Sequence, residues 1–257
     1  MFKSILTFVI VVAGFAGCLA QNAVKKTLDH ADFAIWNTIE NELLSNDGRW
    51  VVYQVKPEDG DGKLHIYDGT TGKEQVFPRG ESAKISADNK FVVFKIKPFA
   101  DTLTAQRRRK VKKEDLPKDS LAIVELATGK LTKVADVQSF QLPDKWSGWL
   151  AYHKEVEAEK KDTNAKKDAP KAKVKKESKD NGSKLVLRNL TTAQETTVAF
   201  VKAYAHAKEG ATFLLASTGD DSTFQAGVYV FDANKNALKA ILNKKGEYKN
   251  LTLDEKG

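Results

Sequence analysis

The sequence holds one cysteine, and that residue, Cys18, lies in the N-terminal segment ahead of Gln21. Cleavage after Ala20 leaves a mature chain without any, which excludes disulfides, thiolate catalysis and zinc–thiolate sites together. A phosphate-cradling Gly-rich loop is missing, and no two of the four histidines, His30, His65, His153 and His206, stand at metal-ligand spacing. The Gly-x-Ser-x-Gly motif of α/β-hydrolases is also missing. Gly80-Glu81-Ser82-Ala83-Lys84 supplies only its first half and precedes a strand, so Ser82 reads as a loop serine. No catalytic, cofactor-binding or metal-ligating residue is therefore expected from this sequence.

The N-terminal segment reads as a targeting signal. Lys3 gives a basic start, Ile5 to Ala16 is an apolar run too short to span a bilayer, and Cys18-Leu19-Ala20 before Gln21 offers a signal-peptidase site. Residues 1–20 are thus expected to be a cleavable signal, and the mature chain periplasmic or extracellular. Phe15-Ala16-Gly17-Cys18 resembles the box read by lipoprotein signal peptidase, which would leave Cys18 acylated and the chain membrane-anchored. Phe15 stands where that box normally has Leu. Ordinary cleavage is the expected processing, and Cys18 stays a candidate lipidation site.

The formal net charge is +8, and its placement matters more than its size. Residues 107–118 hold seven Lys/Arg against Glu114 and Asp115, and residues 155–184 hold ten Lys against seven Asp/Glu. The net excesses, five and three, equal the whole charge of the chain. Neither segment contains an aromatic residue, whereas a nucleic-acid binder spreads basic residues over a folded face with aromatics among them. No nucleic-acid partner is expected. Segments 99–119 and 154–183 read instead as solvated, mobile insertions, too poor in apolar residues to offset the entropy of ordering.

What the chain does have is a repeat. Leu44-Ser45-Asn46-Asp47-Gly48-Arg49 precedes Trp50-Val51-Val52-Tyr53, and Ile85-Ser86-Ala87-Asp88-Asn89-Lys90 precedes Phe91-Val92-Val93-Phe94. Looser copies lead from Leu142-Pro143-Asp144 into Trp149-Leu150-Ala151-Tyr152, and from Lys208-Glu209-Gly210 into Phe213-Leu214-Leu215-Ala216. Each copy continues with a second strand (64–68, 121–125, 185–189, 228–232), a second turn such as Thr71-Gly72-Lys73 or Thr128-Gly129-Lys130, and a short apolar segment. Asp, Asn and Gly supply turn conformations that other residues resist, while β-branched and aromatic residues suit half-buried strands. The recurrent carboxylates Asp47, Asp88 and Asp144 therefore read as turn residues and not as acid/base pairs.

The leading aromatics are 41, 58 and 64 residues apart. The first interval matches the roughly 40–45 residues of a four-stranded propeller blade, and the two longer ones contain the charged insertions. The pattern predicts an all-β chain: an incomplete β-propeller over residues 21–257, with about four four-stranded blades and the start of a fifth. Tyr248 to Gly257 repeat an opening turn without its aromatic strand, so the remaining blades are expected beyond this sequence. A sandwich or barrel would show hairpins too, but not this fixed order of turn, strand, strand and turn.

The signal, the Trp36 segment, Leu44-Ser45-Asn46-Asp47-Gly48-Arg49-Trp50 and the basic insertion running into Leu116-Pro117-Lys118-Asp119-Ser120-Leu121 together resemble the N-terminal propeller of exported serine peptidases of the prolyl oligopeptidase family. The resemblance implies a propeller that caps a C-terminal α/β-hydrolase domain and gates peptide substrates. It also implies that the catalytic Ser, Asp and His lie in that later domain, so none of them is carried over to this chain. The other reading of the same repeat is a non-enzymatic exported propeller that binds a protein partner, similar to the propeller of the Tol system.

Overall fold

In a computed structural model, the structure describes residues 27–29, 32, 36–156, 175–220, 222 and 224–257. The signal segment, Cys18, His30 and most of the second charged insertion lie outside the described residues. Four antiparallel β-meanders follow one another along the chain. The first comprises β1 (Asn37–Leu44), β2 (Trp50–Pro57), β3 (Lys63–Asp68) and β4 (Glu74–Pro78). The second comprises β5 (Gly80–Ile85), β6 (Phe91–Ile96), β7 (Ser120–Glu125) and β8 (Lys130–Val134). The rest of the chain forms one seven-stranded sheet from β9 (Val137–Gln141), β10 (Trp149–Lys154), β11 (Ser183–Asn189), β12 (Glu195–His206), β13 (Thr212–Ser217), β14 (Gly227–Asp232) and β15 (Ala237–Leu242).

That larger sheet is two blades sharing one long strand. The first half of β12 pairs with β11, from Arg188↔Glu195 to Ser183↔Val201, and its second half pairs with β13, from Val201↔Ser217 to His206↔Phe213. The same passage from the last strand of one blade to the first of the next occurs at Arg79 and at Asp136, where it interrupts the strand. Arg79, Asp136 and Phe200 all take left-handed φ, of 62°, 56° and 55°. Their carbonyls accept equivalent hydrogen bonds, from Lys97, Glu155 and Thr218 N–H at 3.0, 2.8 and 3.0 Å. The chain is therefore an unclosed four-bladed propeller arc.

The core lies between blades and not within them. Trp50, Val52, Leu64 and Ile66 of the first blade pack on Val92, Phe94, Ala122 and Val124 of the second. Phe91, Val93, Leu121 and Ile123, on the opposite face of the second blade, meet Leu150, Tyr152 and Val186 of the third. Trp149, Ala151, Leu185 and Leu187 meet Phe213, Leu215, Tyr229 and Phe231 of the fourth. Strand alternation explains this, because successive side chains point to opposite faces and a middle blade is covered on both.

The turns that announce the first two blades form as expected. Ser45 Oγ accepts Trp50 N–H at 2.8 Å, and Ser86 Oγ accepts Phe91 N–H at 2.9 Å. Asp47 and Asp88 take the hydroxyl hydrogens of those serines in turn. Gly72 and Gly129, at φ 71° and 70°, close the second turns by donating to Asp68 and Glu125 carbonyls. The leading aromatics fall in the second strand of every blade, but the fourth is one residue out of step. Trp50, Phe91 and Trp149 pair with Asp68, Glu125 and Asn189, whereas Asp232 pairs with Thr212. Phe213 consequently faces back toward the third blade, while the first three aromatics face forward.

His153 illustrates what blade contact does to a titratable group. It is 7% exposed on the forward face of β10, and its Nε2 donates to the Val201 carbonyl at 2.8 Å. Burial lowers its pKa against the opposing pull of that hydrogen bond. The folded state thus holds a neutral ring whose pKa is below that of the unfolded chain. This contribution to stability is complete above pH ~6.5 and is lost as pH falls through the folded pKa. Chemical denaturation of His153→Gln should show a shallower loss of stability below pH ~6.5 than the parent chain.

Candidate functional site

The meander connections divide into two faces. One carries the turns between first and second and between third and fourth strands. The other carries the blade-to-blade crossovers, the second-to-third-strand loops and the start of β1, since Asn37 pairs with Pro57. Several charges of the turn face are paired: Arg49 with Asp68, Lys145 with Glu209, and Lys208 with Glu255. Asp68 accepts from Arg49 Nε at 3.0 Å and Nη2 at 2.8 Å and from Thr70 and Thr71, which holds its carboxyl far below the usual carboxylate range.

Both charged insertions leave from the crossover face. Residues 99–119 lie outside the sheets, but the structureless loop expected there contains α1 (Ala100–Arg108) and a single 3-10 turn at Lys113–Asp115. Tertiary anchors explain the difference. Ala100 N–H donates to Asp61 Oδ1 of the first blade at 3.0 Å, which satisfies one open donor at the helix start. The Arg79 guanidinium stacks 3.8 Å from the Phe99 ring centroid, and Arg79 Nη1 donates to the Lys97 carbonyl at 2.6 Å. Asp101 in the first turn and Arg107 and Arg108 in the last complement the helix dipole.

An open cleft of about 390 Å³ lies at the foot of this helix, among Arg79, Ile96, Lys97, Phe99, Pro117 and Lys118. Behind it, Asp119 Oδ2 receives both Lys95 Nζ and Lys97 Nζ at 3.1 Å, and Glu81 sits 3.3 Å from Lys97. Burial opposes the charge of Lys97, yet Asp119 and Glu81 outweigh it and raise the ammonium pKa. Lys97 therefore stays protonated, and the cluster is a structural ion-pair network.

Three other polar groupings lie on the blades. On the outer face of the first blade, Glu74 Oε1 accepts from Tyr53 Oη at 2.6 Å and lies 3.0 Å from His65 Nδ1, with the Tyr53 and His65 rings stacked at 4.9 Å. The Glu74 carboxylate raises the Tyr53 pKa, so the phenol stays a donor. Between the third and fourth blades, Ser139 Oγ lies 3.2 Å from Tyr204 Oη, whose pKa burial pushes up to about 12. His153 meets Tyr204 edge-on at 5.3 Å but directs Nε2 to a carbonyl, so Ser139 has no base. Tyr152 donates to Glu195, which also pairs with Arg188. Among the described residues no group of three or more His, Cys, Asp or Glu side chains could hold a metal ion.

Ser82 is not a loop serine. It lies in β5 at a bulge between Glu81 and Lys84, with φ 54°, nine residues before Phe91 as Asn41 (φ 57°) lies nine before Trp50. Its position is that of a bulge residue in a first strand, which no sequence motif announces.

No protein-family model matches the sequence, and no curated protein sequence matches it. Solved structures similar in fold include the acylaminoacyl peptidase of Pyrococcus horikoshii, at 12% identity and TM-score 0.47, over 85% of this chain and 34% of the peptidase. The β-propeller domain of the Trilobed protease from Pyrococcus furiosus is similar at 11% identity and TM-score 0.42, over 81% of this chain and 58% of that one. TolB from Acinetobacter baumannii follows at 12% identity and TM-score 0.37, over 81% and 45%. The chain thus spans about a third of the length of the acylaminoacyl peptidase, and none of these likenesses assigns it to a family.

Proposed function

We propose that this chain is the first part of the propeller of an exported serine peptidase, where it gates the access of peptides to a hydrolase domain outside this sequence. The observation that carries the reading is the placement of the two resembling segments. Leu44–Trp50 forms the opening turn of the first blade, and Leu116–Leu121 returns the blade-two insertion to β7. Many polar residues of the blades are engaged in turns and in ion pairs, most of them within a blade, which suits a wall that admits or excludes substrate. Chemistry then belongs to the nucleophile, base and oxyanion donors of the partner domain.

Two measurements test this. Antibodies against the blades should retrieve, from the native source, a polypeptide that reacts with a fluorophosphonate probe and carries residues 37–257. Retrieval of an unreactive polypeptide in stable association with another protein would favour the non-enzymatic propeller instead. The chain as given should leave prolyl and alanyl chromogenic peptides intact. Turnover that disappears in Ser82→Ala would overturn the reading.

A further inference from the structure

We propose that the crossover face is a membrane-docking surface that binds anionic phospholipid headgroups through Arg107, Arg108, Arg109, Lys110, Lys112 and Lys113. The proposal does not depend on the peptidase reading. These six side chains are exposed, and none forms an ion pair among the described residues, in contrast to the paired charges of the turn face. Glu114 and Asp115 are the acidic neighbours in sequence and leave a clear positive excess. Repulsion among so many uncompensated cations is unfavourable unless an anionic surface meets them. The cluster is also held in place. Asp61 and the Arg79–Phe99 stack fix the start of α1, and the helix carries its basic end roughly 13 Å away. That distance exceeds a Debye length of about 8–10 Å, so the acidic Glu58, Asp59 and Asp61 near the helix start do little to neutralise it.

Two further observations on the same face point to a bilayer and not to a soluble polyanion. Phe99 is 56% exposed at the foot of α1, and Trp36 is 51% exposed where the chain comes into β1, its carbonyl accepting Glu58 N–H at 3.1 Å. Exposed aromatics on the same face as a basic cluster suit the headgroup level, where one end is apolar and the other wet. The chain also approaches β1 from this face, downstream of the apolar run Ile5–Ala16 and of Cys18. Attachment through that segment, where it is retained, would hold the chain by the end that enters β1 on this face. A polybasic surface then acts as the second of two weak membrane signals.

Sedimentation of the full chain with vesicles separates the possibilities. With vesicles of phosphatidylcholine mixed with phosphatidylglycerol, the parent chain should bind, and raised salt should weaken binding. Arg107→Gln/Arg108→Gln/Arg109→Gln should lower the partition coefficient about tenfold or more, because each basic residue near such a surface contributes comparably. The three arginines are exposed and unpaired, and an unchanged circular dichroism spectrum would confirm folding. Equal binding to pure phosphatidylcholine would show insertion of the apolar segment alone and overturn the proposal. Undiminished binding of the triple variant, or retention of an acidic protein by the patch in place of lipid, would overturn it too.

Discussion

Phe213→Ala is expected to lower the unfolding free energy by about 3–5 kcal/mol, the range for deleting a fully buried aromatic ring. Phe213 has no exposed surface and sits between the third and fourth blades beside Leu215 and Phe231. Trp146 meets it edge-on at 5.2 Å, and Trp146 Nε1 donates to the Ala207 carbonyl at 2.9 Å. That hydrogen bond fixes the indole, so it cannot move in to fill the space the ring leaves. The contrast is Ile241→Ala on the outer strand β15. Ile241 is 62% exposed, and its truncation should change stability by no more than about 0.5 kcal/mol. Urea titration of both variants measures the difference. A loss below about 1 kcal/mol for Phe213→Ala would mean that the two blades are not packed through this ring.

Phe213 also marks where reading by residue type reaches its limit. Type alone aligns it with Trp50, Phe91 and Trp149, yet the register set by Asp232 gives that position to Thr212. A shift of one residue reverses the face a side chain presents, and aromatic content carries no information about it. The second and third strands of each blade are legible because they are rich in β-branched and aromatic residues, buried on both faces in the middle blades and on alternate residues in β2, β3 and β14. The first strands are not. Asn-Thr-Ile-Glu-Asn-Glu-Leu-Leu and Gly-Glu-Ser-Ala-Lys-Ile, which form β1 and β5, are mostly polar and take their conformation from the strand beside them. Left-handed Arg79, Asp136 and Phe200 share no residue type, so the crossovers are a property of the blade geometry. The helix α1 is not legible in the sequence for a related reason: its anchors, Asp61 and Arg79, belong to the first blade and its connection to the second. Composition placed the basic residues outside the sheets, but only the fold puts them on the same face as Trp36 and Phe99.

Gly80 is the other position where a small change should have a large effect. It follows Arg79 at the first crossover, and a Cβ there would lie 2.6 Å from Leu64 Cβ and 3.2 Å from both Phe94 Cδ2 and the Phe77 carbonyl. Leu64 and Phe94 are buried core residues of the first and second blades, so the added methyl must force these blades apart. Gly80→Ala is expected to destabilise the chain by about 1–3 kcal/mol. The requirement is local and not a rule of the repeat. Gly80 pairs with Ile96, and the residues at the same place in the next two crossovers, paired with Lys154 and Ser217, are the fully buried Val137 and Val201. A side chain is therefore admissible at this point of a blade when its neighbours leave room, and at Gly80 Leu64 takes that room. Leu64→Ala alone should cost about 2–5 kcal/mol through the cavity it opens. Leu64→Ala keeps the Cβ that the new methyl meets but frees the space beyond it, into which the two strands can settle, so Gly80→Ala/Leu64→Ala should lose less than the two single losses together, by about 0.5 kcal/mol or more. Additive losses in the urea titrations would show that the space freed beyond Leu64 Cβ does not relieve the conflict at Gly80. A neutral Gly80→Ala would show that the blades do not approach this closely.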